Sequence, residues 1–96
     1  MQYWKVQWIH NFVDEPYLIY GELNATMEEI RKIEVFRNGQ LGYASIDGLE
    51  YLTFSSECNW PTKVEIEADP QFVVEVISEE EFENIWNQAI IKTKSY

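Results

Sequence analysis

Apolar and polar side chains alternate along the first half of the chain, a pattern that predicts β-strands. In residues 3–10, Trp4, Val6 and Trp8 are separated by polar side chains, which is the period of two of a half-buried strand. The segments that follow are rich in the β-branched and aromatic residues that strands favour. We predict strands at residues 3–10, 17–23, 30–37, 41–46 and 49–54.

Short turn signals separate these strands. Asn38 with Gly39, and Asp47 with Gly48, stand between the last three of them. Such pairs readily adopt the positive φ angles of a two-residue hairpin turn. Residues 14–16, with sequence Asp-Glu-Pro, indicate a turn between the first two strands. The strands are therefore predicted to form an antiparallel meander.

The hydrophobic period changes near the C-terminus and predicts a helix over residues 78–91. Ser78 is a suitable N-cap, Glu81 completes a capping box, and Ile77 can contact Phe82 across the first turn. Apolar residues then recur at helical spacing, which gives one stripe that must lie on the sheet. The stripe consists of Phe82, Ile85, Trp86, Ala89 and Ile90.

The segment before this helix combines two signals. Thr62 and Glu65 form a possible capping box after Pro61, which favours a short helix ended by Pro70, although residues 64–68 also alternate as a strand does. Residues 72–77 predict another short strand. Residues 1–96 are thus predicted to form a single α+β domain, an antiparallel β-meander of about five to six strands with a C-terminal amphipathic helix, and a short second helix, packed on one face.

The net charge of the chain argues against some classes of function. Seventeen acidic residues face seven basic ones, for a net charge of -10, and 16% of residues are aromatic. This negative potential repels nucleic acid and anionic membranes and accelerates encounter with basic proteins. No apolar run approaches the roughly 18 residues that span a bilayer, and the first residues resemble no signal peptide. We expect a cytoplasmic protein that binds a partner, with Cys58 as a small, partly buried hydrophobe.

The sequence offers few candidate catalytic residues. His10 is the single histidine, and an enzyme would require His10, Glu22 and Arg31 to converge in one pocket. A histidine at a strand end more often makes a structural hydrogen bond. We therefore expect no enzyme activity, no cofactor and no metal site.

Acids in predicted turns and at the helix start are the candidate contacts for a basic partner. Any single one of them can instead be part of a solvated surface that keeps the domain soluble. The aromatic candidate Trp60, in a predicted loop, can instead cap the core beside Pro61. The predicted acidic contacts are Asp14, Glu15, Asp47, Glu50, Glu57, Glu79, Glu80 and Glu83.

Several short motifs extend over nearly the whole chain. Trp8 with His10, Tyr20 with Glu22, and Arg31 with Lys32 belong to them, followed by an E-E-F-E-x-x-W string in residues 80–86. As a set they resemble a family of small bacterial domains of uncharacterised function. The resemblance implies an α+β fold and no established activity.

The size, acidity and aromatic content are also similar to those of immunity proteins, as a class. The sequence therefore favours a protein that neutralises a cognate, basic, nuclease-like toxin in a one-to-one complex. The alternative is an interaction or self-associating domain, either a monomer or a weak homodimer. A small enzyme using His10 is the least favoured hypothesis.

Overall fold

The domain is built from one antiparallel sheet and two helices, which confirms the predicted α+β fold. The computed structural model describes residues 1–56 and 58–94. No helix among these residues has the length and apolar character needed to cross a membrane. The elements are β1 (Gln2–Trp8), β2 (Leu18–Leu23), β3 (Glu29–Val35), β4 (Leu41–Ser45), β5 (Glu50–Tyr51), α1 (Lys63–Glu67), β6 (Phe72–Ile77) and α2 (Glu79–Lys94).

The strand order is β5-β4-β3-β2-β1-β6. The first five strands form the predicted meander, and the chain then returns so that β6 pairs with β1 in antiparallel orientation. Tyr3 therefore lies opposite both Glu22 and Ile77. Trp8 lies opposite Phe72 at the other end of β1.

The two predicted hairpin turns are one residue longer than expected. Phe36 N–H donates to Gln40 O at 3.0 Å, and Ser45 N–H donates to Leu49 O at 2.8 Å, so three residues close each loop. Gly39 has a φ of 87° and Gly48 a φ of 101°. A three-residue loop with a left-handed glycine is the next most common hairpin connection, and the same dipeptides serve it.

Strand β5 is shorter than predicted. It contains only Glu50 and Tyr51, because Leu52 has a φ of 61°. This left-handed conformation ends the extended backbone and is unusual for a residue with a branched side chain. The chain then crosses the face of the sheet opposite α2.

Helix α2 covers one face of the sheet as the hydrophobic stripe predicts. Ser78 Oγ accepts a hydrogen bond from Glu81 N–H at 3.1 Å, which is the expected N-cap. Phe82 and Ala89 are fully buried. Ile77 belongs to the same core cluster as Phe82, which is consistent with the predicted contact across the first turn.

The opposite face is covered by Trp60 and α1. The predicted capping box of α1 forms between Thr62 and Glu65. The Trp60 ring lies directly on Gly21, where an added Cβ would approach Trp60 Cη2 to 2.6 Å. Cys58 is exposed, so its predicted partial burial is wrong; the connection buries the larger Trp60 ring instead.

Candidate functional site

The predicted contact residues lie at opposite ends of the sheet. Asp14 and Glu15 are in the connection between β1 and β2, beyond Trp8. Glu79 and Glu80 begin α2 just after Ile77, at the end of the sheet where β1 starts. These predicted contacts therefore fall into two separate acidic regions, which the fold does not bring together.

The connection formed by residues 9–17, here called the β1–β2 loop, is organised around His10. The Nδ1 atom of His10 accepts a hydrogen bond from Phe12 N–H at 2.9 Å. The Nε2 atom lies 2.8 Å from Pro16 O. One neutral tautomer, with its proton on Nε2, makes both bonds. His10 therefore positions the backbone on both sides of the loop.

The β1–β2 loop is also attached to its surroundings. Trp8 N–H donates to Tyr17 O at 3.0 Å, and Ile9 N–H donates to Gln71 O at 2.7 Å. The Arg37 guanidinium donates to the carbonyl of His10. Such bonds at the loop ends and centre limit the conformations that its tip can adopt.

The tip of the β1–β2 loop carries two apolar side chains. Phe12 is 61% exposed and Val13 is 75% exposed, with Asp14 and Glu15 directly after them and also exposed. An aromatic side chain and two carboxylates are thus presented to solvent by a pre-organised backbone. Aromatic residues, phenylalanine among them, are enriched in the core of protein–protein interfaces, and a pre-organised loop lowers the entropy cost of binding.

Trp8 connects the β1–β2 loop to the sheet. Its ring stacks on Phe72 at a centroid distance of 5.9 Å and contacts His10 at 4.2 Å and Phe12 at 6.4 Å. Within the described residues, the buried Nε1 of Trp8 has no hydrogen-bond partner. An unpaired buried donor costs about 1–3 kcal/mol, so this row of rings is not optimised for stability alone.

A separate ion-pair cluster lies under α2 and is centred on Arg31. Its guanidinium donates to both carboxylate oxygens of Glu22, at 2.7 and 2.9 Å, and also to Glu83. The rings of Phe82 and Trp86 each lie 5.0 Å from the Arg31 Cζ. The cluster thus ties two strands of the sheet to the last helix.

This cluster perturbs the titration of its members. The Arg31 guanidinium lowers the pKa of Glu22, and the Glu22 carboxylate raises the pKa of Arg31. Burial, followed by the hydrogen bond to Glu22, raises the pKa of Tyr3 to about 12. The ion pair is therefore maintained over the whole neutral range.

His10 and the Arg31 cluster do not form one catalytic pocket. Glu22 lies opposite Tyr3, whereas His10 follows Trp8 at the far end of β1. At roughly 3.3 Å per residue, Tyr3 and Trp8 alone are about 17 Å apart. Convergence of His10, Glu22 and Arg31, which the enzyme hypothesis required, does not occur.

The comparisons with known proteins identify the family. Residues 2–91 match a family described as "Domain of unknown function (DUF6881)". The chain belongs to this family. Searches among curated proteins and among solved structures gave no significant match.

Membership in the DUF6881 family confirms the predicted resemblance to an uncharacterised domain family, and the geometry gives the motif residues physical roles. Arg31 and Lys32 point to opposite faces, as expected for neighbours in a strand. Lys32 is buried beneath Phe54, whose ring is 5.6 Å from Nζ, and is 3.9 Å from Glu34. Tyr20 is buried in the core under α2, where desolvation raises its pKa. These residues hold the fold together.

In this DUF6881 domain, some predicted contact residues are engaged internally. Glu83 pairs with Arg31 and keeps 38% of its side chain exposed. Glu50 accepts a hydrogen bond from Ser55 N–H at 3.0 Å. Trp60 is half-buried, and its indole N–H donates to Glu29 at 2.7 Å, so it caps the core beside Pro61 as the alternative interpretation held.

The remaining predicted contacts lie on the surface or outside the described residues. Asp47 is exposed in the β4–β5 turn and accepts a hydrogen bond from Ser45. Glu79 and Glu80 are exposed at the start of α2. Glu57 lies outside the described residues.

Sequence reasoning missed Phe12 and Val13, the apolar tip of the β1–β2 loop. The available signal was a pair of adjacent apolar residues just before the predicted turn at residues 14–16, of which Phe12 continues the alternation of Trp4, Val6 and Trp8. It also missed Glu29, which is only 2% exposed and holds Trp60. No group of three or more His, Cys, Asp or Glu side chains in the described part of the chain could hold a metal ion.

Proposed function

We propose that this domain binds a basic protein through the β1–β2 loop, and that the complex neutralises a cognate toxin in the cytoplasm, as an immunity protein does. The observation that carries the proposal is the arrangement of this loop. His10 fixes its backbone, and Phe12, Val13, Asp14 and Glu15 are exposed at its tip. An apolar anchor beside two carboxylates suits a partner surface with an apolar hollow and basic side chains.

The distribution of charge supports the same function. Four of the five basic side chains that the structure describes have internal partners: Arg31, Lys32 and Lys63 lie near carboxylates, and Arg37 donates to a backbone carbonyl. Because seventeen acids face seven bases in the sequence, the acids exposed to solvent remain in excess. The resulting negative potential favours association with a basic protein and is screened by salt.

A nuclease-like toxin has the chemistry that fits such a surface. An enzyme that binds nucleic acid presents lysine and arginine side chains to the phosphates. An acidic domain with an aromatic anchor can occupy these groups and exclude the substrate. Inhibition then requires one bound copy of the domain and no catalysis by it.

Affinity capture tests the proposal with a matched pair of variants. One bait carries Phe12→Ser, Asp14→Asn and Glu15→Gln in the loop; the control carries Phe54→Ser, Glu79→Gln and Glu80→Gln, all at exposed positions away from the loop. Each variant loses one exposed aromatic ring and two negative charges, so their net charges are equal.

We expect the wild-type domain and the control variant to retain one basic protein from a lysate of the source cells, close to one-to-one at low salt, and to inhibit it. The loop variant should retain much less of it. Equal retention by both variants would contradict a role for the loop, and the absence of any salt-sensitive basic partner of the wild-type domain would contradict the proposal.

A further inference from the structure

A cleft opens on the face of the sheet opposite α2, between Trp60 and the start of β6. Its volume is about 540 Å³, within the range of roughly 300–1,000 Å³ that is usual for ligand pockets. Its apolar lining comes from four elements, β1, β2, α1 and β6, and from the connection before α1. The apolar lining residues are Val6, Ile19, Trp60, Pro61, Ile66 and Phe72.

The cleft is separated from the β1–β2 loop by a short row of packed rings. Phe72 lines the cleft and stacks on Trp8, and Trp8 lines a second hollow of about 560 Å³ together with the tip of the loop. The row Phe72, Trp8, Phe12 therefore lies between the two hollows. We call the two hollows and this row the aromatic groove.

Carboxylates stand at both ends of the aromatic groove. Glu65 and Asp69 line the cleft, and Asp14 and Glu15 line the second hollow. Asp69 uses Oδ1 to accept from Gln71 N–H at 2.9 Å, which leaves its other oxygen available. Among the described residues, neither hollow is lined by a lysine or an arginine. The groove thus combines an apolar floor with negative ends.

We infer that the aromatic groove receives an extended segment of the partner in which apolar side chains alternate with lysine or arginine. The inference rests on the proposed function, because it names the part of the basic partner that the domain recognises. In an extended chain, alternate side chains point to opposite sides, so the apolar ones can fill the two hollows. The cationic ones leave from the other side of the segment, and their long, flexible side chains can bend over the rim of the groove to the carboxylates of Asp69, Asp14 and Glu15.

Synthetic peptides test this recognition directly. The probe is a fluorescent peptide of alternating lysine and leucine, with two controls of the same length, one of lysine and serine and one of glutamate and leucine. Anisotropy gives the affinity, and backbone amide shifts in NMR spectra locate the contact. We expect only the lysine and leucine peptide to bind well, with the largest shifts around Ile66, Phe72 and Phe12.

Matched variants distinguish peptide binding in the groove from attraction by the net charge of the domain. Asp69→Asn keeps the bond to Gln71 and removes one charge at the groove, whereas Glu80→Gln removes one charge from the start of α2. Phe12→Ser removes a ring of the groove, whereas Phe54→Ser removes an exposed ring elsewhere. We expect Asp69→Asn and Phe12→Ser each to weaken peptide binding roughly threefold to tenfold, and the other two to leave it unchanged.

Three results would overturn the inference. Equal binding of the lysine and serine peptide would show that the apolar floor is not used. Equal weakening by Glu80→Gln and Asp69→Asn would show attraction by net charge alone. A molecular mass that rises with concentration in the wild-type domain but not in Phe12→Ser would assign the groove to a second copy of the chain.

The peptide test and the capture experiment fail independently. A captured basic protein with no peptide binding would refute the groove and leave the proposed function standing. Groove-specific peptide binding with no basic protein captured would refute the proposed function and leave the recognition of cationic, apolar segments standing.

Discussion

At the scale of single residues, the buried polar contacts decide which substitutions matter. Glu22, with 8% of its side chain exposed, is paired to Arg31, with 20% exposed. Removing one member of such a pair leaves a buried charge without compensation. An exposed pair such as Lys63 with Glu67 has water as an alternative partner.

Arg31→Leu is therefore expected to lower the free energy of unfolding by about 3–5 kcal/mol. The control Lys63→Met removes an exposed ion pair of α1 and should change it by less than about 1 kcal/mol. Urea unfolding followed by far-UV circular dichroism measures both. Similar effects of the two substitutions would contradict a central role for the cluster under α2.

Gly21 is required because the Trp60 ring occupies the space of a side chain. The Cβ of Gly21→Ala would lie 2.6 Å from Cη2 and 2.8 Å from Cζ2 of Trp60, and the bond to Glu29 resists movement of the ring. We expect a loss of about 1–3 kcal/mol in the free energy of unfolding. The same substitution in a Trp60→Ala background should cost much less. An undiminished cost there would mean that the ring is not the obstacle.

Tyr3 makes the domain sensitive to alkali. Its pKa is raised from 10.0 to about 12 in the folded state, so the folded domain keeps a proton that the unfolded chain loses. The stabilisation is complete below pH 10 and is lost as the pH rises from 10 to 12, at about 1.4 kcal/mol per pH unit. Tyr3→Phe keeps the ring against Phe82, and its unfolding free energy should fall less steeply over this range. Equal slopes for the two proteins would refute this assignment.

At the scale of elements, the outer edge of β6 is protected against pairing with another chain. Val74 N–H donates to Glu67 at 3.3 Å, and Phe72 N–H donates to Asp69 O at 3.0 Å. The Lys63 ammonium and the Val74 amide lower the pKa of Glu67, which keeps this acceptor charged. The opposite edge, β5, has only two residues. Edge strands this short or this well covered are poor templates for association.

We accordingly expect that neither sheet edge mediates self-association and that the domain stays monomeric. Sedimentation equilibrium should give a mass of 11.4 kDa over a wide concentration range. A mass that approaches twice this value, and that Glu67→Ala increases further, would show that the β6 edge pairs with a second copy.

The elements themselves were largely predictable, because local chemistry determines them. The capping boxes and the stripe of α2 predicted both helices, and alternation together with segments rich in β-branched and aromatic residues predicted all six strands. The early end of β5 was not predictable, because the left-handed Leu52 is imposed by the path of the chain over the sheet. The site was harder to predict. No local sequence signal indicates that His10 bonds to Pro16 O. The packing of Phe72 near Trp8 and Phe12 can be inferred only once the strand order is known.

At the scale of the whole molecule, the net charge and the shape of one surface determine the expected partner. The acidic ends of the sheet are far apart, and among the described residues the end with the β1–β2 loop combines exposed carboxylates with an apolar tip and an adjoining groove. In the proposed complex, the negative charge of the domain attracts the basic protein over a range that salt shortens, and the apolar contacts then slow its dissociation. High salt is therefore expected to slow association more than it speeds dissociation.

The most direct test of the central claim is a titration of the captured basic protein's nuclease activity with the purified domain at low salt. The account predicts that activity falls linearly to zero at one equivalent of the wild-type domain. The variant with Phe12→Ser, Asp14→Asn and Glu15→Gln should require a large excess. Full nuclease activity in the presence of excess wild-type domain would contradict the claim.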